Sequence, residues 1–104
     1  MKVVICGATQ IGYNIASYLS AEENDITIID QSPERIKYVQ ETLDVRAVIG
    51  QESYPNLLED VSGNDTDILI AVTASDEHNI IACQIAHSLL KFLLKFPTFG
   101  IKTI

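Results

Sequence analysis

Positive charge is scarce in this chain: seven Lys and Arg stand against 14 Asp and Glu in 104 residues, a formal net charge of −7. A domain this acidic is a poor general binder of nucleic acid or anionic membrane, because both require clustered Lys and Arg. Long apolar runs are also missing, and none reaches the roughly 18–20 residues that span a bilayer. No charged-then-apolar leader precedes the first apolar run at Val3, so the expected compartment is the cytoplasm. Cysteine is limited to Cys6 and Cys83, both in apolar segments and without metal-ligand spacing. They read as two buried thiols in a reducing environment. His78 and His87 lie nine residues apart, on opposite sides of a helix, and neither has a nucleophile near it. No metal site and no catalytic centre is legible. With 47% apolar and 20% charged residues, the chain reads as one globular domain with a modest core.

What is present begins in the first dozen residues, MKVVICGATQIG. Val3 to Cys6 is a short β-favouring run, Gly7 breaks it, and Gly12 follows as an amphipathic stretch begins. Strand, glycine turn and helix N-terminus together attract an anion through exposed backbone N–H groups and the helix dipole. The spacing is that of a dinucleotide-binding G-x-G-x-x-G turn, with Thr9 in place of the middle glycine. That β-branched side chain stands where a pyrophosphate approaches bare backbone, and its cost is about 1–3 kcal/mol of dinucleotide affinity. A hydrogen bond from its hydroxyl to a phosphate would offset this.

Ile11, Ile15, Tyr18 and Leu19 continue at the spacing of one helix face. Ile26 to Ile29 is a second strand ending at Asp30, 18 residues beyond Gly12. A carboxylate there is placed to accept hydrogen bonds from a ribose diol, and its charge disfavours a 2′-phosphate. The plain alternative is that Asp30 only ends the strand. Ser32-Pro33-Glu34 starts a second helix, with a capping hydroxyl, a first-turn proline and an acid near the positive dipole end. Ile36, Val39 and Leu43 form its apolar face. A third strand is Ala47 to Ile49, closed by Gly50. Ser53 and Pro55 open a short helix carrying Leu57, Leu58 and Val61, and Ser62 to Asp65 is a turn.

Ile68 to Val72 is the most apolar run and is expected to be a fully buried strand. Thr73 and Ser75 lie just past its end, where open parallel sheets bind ligands. Ser75-Asp76-Glu77 begins another helix, with Ile81, Ile85 and Leu89 assigned to one face. The alternation β-α-β-α-β-α-β-α specifies an α/β fold: a Rossmann-like three-layer parallel sheet in strand order 3-2-1-4, shortened at the C-terminus. Residues 1–89 form the domain and residues 90–104 a tail. All 14 acids fall between Glu22 and Glu77, whereas Lys91, Lys95 and Lys102 make the tail basic. Three structures compete for it: a helix extension covered by a partner or a neighbouring subunit, a weak membrane contact, or a fifth strand over Phe99 to Ile104.

The stretches KVVICGATQIGYNIASYLS, DITIIDQSPERI, DVRAVIG and DTDILIAVTASDEHNIIACQIAHSL resemble the RCK (KTN) nucleotide-binding domains of potassium-transport regulators. The resemblance covers residues 1 to about 89 and is more specific than the glycine turn alone. It implies a regulatory rather than catalytic domain, which binds NAD(H) or ATP/ADP, assembles as a homo-oligomer and acts on a membrane potassium transporter subunit. Its place would be the cytoplasm, peripheral to the inner face of the cell membrane. Carried over by position, Gly7, Ala8, Thr9 and Gly12 form the phosphate turn, with Gln10 and Ile11 as its backbone donors. Asp30, followed by Gln31, is the ribose-binding acid. Gly50 and Gln51 form the adenine-side loop, and Thr73 faces the second ribose. Ile80, Ile81 and Cys83 are candidate contacts for domain pairing. Two other readings remain: a cofactor half-domain of an NAD-dependent oxidoreductase, for which no catalytic constellation follows, and a remnant that binds nothing.

Overall fold

The structure, a computed structural model, describes residues 1–51, 56–57, 60 and 66–85. The run from Lys2 to Cys6 forms β1, and Gln10–Ser20 is α1. Next come β2 at Asp25–Asp30, α2 at Pro33–Thr42 and β3 at Arg46–Ile49. After the intervening segment, β4 runs over Ile68–Ala71 and α3 over Asp76–Ile85. The strands pair in the order β3-β2-β1-β4, as the alternating pattern specifies. All three pairings are parallel, with Val4 opposite both Thr27 and Leu69. The helix expected after Ser53 is represented by Asn56, Leu57 and Asp60, which are helical. The rest of that segment, the Ser62–Asp65 turn and residues 86–104 lie outside the described residues.

The sheet is apolar on both faces because helices cover both. Val3, Ile5, Ile26, Ile28 and Val39 pack on one side with Ala16 of α1. On the other side Val4, Cys6, Ile29 and Leu69 pack against Ala82 and Cys83 of α3. Each fully buried Ile or Leu contributes roughly 1.5–3 kcal/mol relative to exposure. The whole run from Ile68 to Val72 is buried, as expected from its apolar sequence, although β4 stands at one end of the strand order.

Helix α1 is rotated from its expected face. In α1 the buried positions are Gly12 and Ala16, whereas Ile11 and Tyr18 are exposed and Ile15 and Leu19 half-buried. The reason is steric: the small residues let the helix lie close to β1, and the large ones flank that contact. In α3 the buried residues among those described are Asn79, Ala82 and Cys83, with Ile80 and Ile81 half-buried; the expected face positions at Ile85 and Leu89 lie outside the described burial. A polar side chain anchors this face, because Asn79 is hydrogen-bonded to the backbone just past the end of β4. Helix α2 agrees with its pattern: Ile36 and Val39 are buried, and Ser32 caps it by accepting the Arg35 N–H at 3.3 Å.

Candidate functional site

All four strands end at the same edge, which collects the loops leading into α1, α2 and α3. Gly7 leaves β1 with φ +115°, and its N–H donates to the Ile29 carbonyl at 2.7 Å. A Cβ there would lie 2.8 Å from the Thr73 nitrogen, and a Cβ on Gly12 would lie 1.8 Å from the Gly7 oxygen. Both positions therefore require glycine, one for its conformation and both for close backbone approach.

Thr9 differs. Its φ of −70° and ψ of 175° are ordinary for any residue, so the backbone does not need glycine. The side chain serves as the N-cap of α1, accepting the Gly12 N–H at 3.3 Å. Its hydroxyl donates to the Val72 carbonyl at 2.9 Å, tying the glycine turn to the end of β4. The single hydroxyl proton is thus committed within the protein. The offset considered from the sequence, a bond from Thr9 to phosphate, would break this tie.

Asp30 is 7% exposed and joins two loops. One carboxylate oxygen accepts the Ala8 N–H at 2.8 Å and the other accepts the Ser32 N–H at 2.8 Å. The Arg35 guanidinium lies 3.6 Å from the first of these oxygens. A carboxylate offers about four acceptor positions, so capacity for a diol remains. Asp30 is therefore more than the end of a strand, and it cannot be removed without stranding two backbone donors.

At the end of β4 a buried amide does the work that glycine does at β1. Asn79 is fully buried; its oxygen accepts the Thr73 N–H at 2.9 Å, and its nitrogen donates to the Thr73 carbonyl at 3.2 Å. The Thr73 hydroxyl also lies within hydrogen-bonding distance of the Asn79 oxygen and accepts the Ser75 N–H at 3.2 Å. Ser75 caps α3 by accepting the His78 N–H at 3.2 Å.

Two open cavities lie along this edge. The larger, about 630 Å³, lies between the β2 and β4 ends and brings together Asp30, Gln31, Thr73, Ser75 and His78. The smaller, about 410 Å³, is bounded by Ala8, Thr9 and Gln10 of the glycine turn and by Tyr13 and Tyr38. The two tyrosine rings are 5.2 Å apart. Glu34 and Arg35 line both cavities. Of the expected site residues, Gly7 and Gly12 shape the turn from behind, and Ile11 stands exposed beside it. Gly50 and Gln51 line neither cavity; Gly50 donates its N–H to the Asp30 carbonyl at 2.9 Å and packs against Leu57.

Sequence reasoning missed Arg35 and Asn79. Arg35 carried a signal, since it lies three residues past a cap and so on the first turn beside Asp30. Asn79 carried only a weak one, a polar residue beside an apolar helix face. Cys83 is 4% exposed in the core, so its surface is closed to a pairing contact. Burial pushes its thiol up to about 11. Among the described residues no group of three or more His, Cys, Asp or Glu could hold a metal ion. No helix among them is long and apolar enough to cross a membrane.

Residues 3–94 match the family described as the TrkA-N domain. The chain is 52% identical over 103 residues to the Trk system potassium uptake protein TrkA of Azorhizobium caulinodans, covering 99% of this chain and 22% of that protein. To the protein of the same name from Halomonas elongata it is 47% identical over 91 residues, covering 88% of this chain and 20% of the relative. The chain thus spans about a fifth of the length of these curated relatives. The fold is shared with the Shewanella denitrificans Kef CTD in its AMP-bound form, at TM-score 0.77 and 22% identity over 90% of this chain and 56% of that one. It is shared also with the GsuK channel bound to NAD, at TM-score 0.77 and 16% identity over 89% of this chain and 17% of the other.

Proposed function

The chain belongs to the TrkA-N domain family, and from that membership we propose that it is the regulatory nucleotide-binding domain of a potassium-uptake system. Its ligand is NAD(H) or an adenine nucleotide such as ATP or ADP, bound across the C-terminal edge of the sheet. The observation that carries this reading is the placement of Asp30, with acceptor capacity left over, in the cavity between the β2 and β4 ends. That is the crevice where open α/β sheets take nucleotides. The glycine turn is adjacent and shaped for close approach, with Thr9 lining the cavity beside it. In this reading Asp30 accepts the ribose hydroxyls and Gln31 and Thr73 border the sugar. Ala8, Thr9, Gln10, Ile11 and the two glycines present the phosphate turn, and Gly50 and Gln51 support the adenine side from behind.

The domain's task is to bind and report, and the reading assigns it no bond-making step. Its readout passes to a membrane potassium transporter subunit, within a homo-oligomer at the cytoplasmic face of the cell membrane. Residues 1–89 carry the nucleotide site, and the basic tail from 90 to 104 stands outside it. A second reading, a domain that has lost binding, draws on one observation: the Thr9 hydroxyl and the Gly12 N–H already satisfy each other.

Because Asp30 also holds two loops, the ligand rather than the protein is altered in the test. Affinity is measured for ADP and for 2′,3′-dideoxy-ADP. Loss of the diol lowers affinity by about tenfold or more, the cost of unmade hydrogen bonds to a charged group. Equal affinity for the two ligands contradicts the assignment of Asp30.

A further inference from the structure

An acidic domain that binds a phosphorylated ligand must neutralise it somewhere. Its described cations are Lys2, Arg35, Lys37 and Arg46, and of these Arg35 alone lines the two cavities. The acids Asp30 and Glu34 line the larger cavity with it, so a phosphate entering unaided meets repulsion. The glycine turn is a weakened anion site, because Thr9 already takes the Gly12 N–H and spends its own hydroxyl on Val72. The ion pair between Arg35 and Asp30, at 3.6 Å, is longer than a hydrogen bond, and the Arg35 side chain is 53% exposed. Such a pair is easily exchanged.

We propose that Arg35 is the phosphate-selecting residue of this site, a clamp that pairs with Asp30 until a ribose diol takes the carboxylate and then turns to the 5′-phosphate. The inference rests on the nucleotide-binding reading. Its geometry follows from position: Arg35 is on the first turn of α2, borders the ribose cavity on one side and the glycine-turn cavity on the other, and carries a fork suited to phosphate. Ribose and phosphate then bind cooperatively, since the diol frees the cation that the phosphate needs. The site selects nucleotides over nucleosides.

The test titrates adenosine, 5′-AMP and 2′-AMP into the full chain, into Arg35→Gln and into Arg35→Lys. The 5′-AMP to adenosine affinity ratio is expected to exceed one in the native chain and to fall by about tenfold in Arg35→Gln, with Arg35→Lys between them. A purely structural role would lower adenosine and AMP together and leave the ratio unchanged, which overturns the proposal. A loss confined to 2′-AMP overturns it as well, because the clamp would then serve the wrong phosphate. Native binding of adenosine and 5′-AMP with equal affinity refutes Arg35 while sparing the nucleotide reading. Binding of none of the three refutes both.

Discussion

Two strand-to-helix turns meet at the C-terminal edge of this sheet, and they are built in opposite ways. The turn from β1 into α1 depends on missing atoms: Gly7 and Gly12 leave no room for a Cβ. The turn from β4 into α3 depends on an added side chain, the buried Asn79 amide that grips both the N–H and the carbonyl of Thr73. Both turns then cap their helices with a hydroxyl, Thr9 in one and Ser75 in the other. They are joined directly, because Thr9 donates to Val72 and the Gly7 α-carbon faces Thr73. In the proposed site the first turn would bring backbone close to the nucleotide, and the second holds the facing wall in place. A nucleotide site at this edge needs both.

The largest effect is expected at Gly12. Gly12→Ala forces a methyl against the Gly7 carbonyl and should cost about 3 kcal/mol, the upper range for overpacking. Thermal denaturation should show a fall of roughly 15 °C for a domain of this size. Asn79→Leu comes next, at about 2 kcal/mol, because it strands buried backbone groups of Thr73. If it costs less than the Thr9 change described next, the two turns are not comparably organised. Thr9→Val keeps the shape and removes the hydroxyl, so it should lose the cap and the Val72 tie for about 1 kcal/mol.

The smallest effect is alkaline. The Cys83 thiol is raised from an ordinary value of 9.0 to about 11, so the unfolded chain loses this proton first as pH rises. Stability that is intact below pH 9 therefore declines between about 9 and 11. Denaturant unfolding should show a shallower decline in Cys83→Ala over that window. Identical pH profiles would contradict the burial assigned to this thiol.

The contrast between the turns also explains what the sequence disclosed. Strand order and the glycine turn were legible because alternating apolar runs and paired glycines are local patterns with few other uses. The apolar face of α2 was legible for the same reason. Helix α1 has a different centre from the one its large apolar residues mark, since Ile11 and Tyr18 are exposed. In fact Gly12 and Ala16 face the sheet in α1, and Asn79, Ala82 and Cys83 do so in α3. Close approach favours small residues, and a hydrogen-bonded amide such as Asn79 can share a buried helix face with them. The placement of Asp30 was readable from spacing, but its bonds to Ala8 and Ser32 depend on loop geometry that spacing does not encode. The position of Arg35 one turn past the Ser32 cap is readable in the sequence, but its place on both cavities depends on the fold.

The central claim is that the two turns together form a working nucleotide site despite Thr9. Calorimetric titration of NADH and ADP into this chain and into Thr9→Gly tests it most directly. The account predicts saturable binding by the native chain, and tighter NADH binding by Thr9→Gly, about tenfold or more, as the side chain leaves the phosphate approach. Absence of heat from both proteins with both ligands would contradict the claim, because neither the turn nor the cavity beside it would then hold a nucleotide.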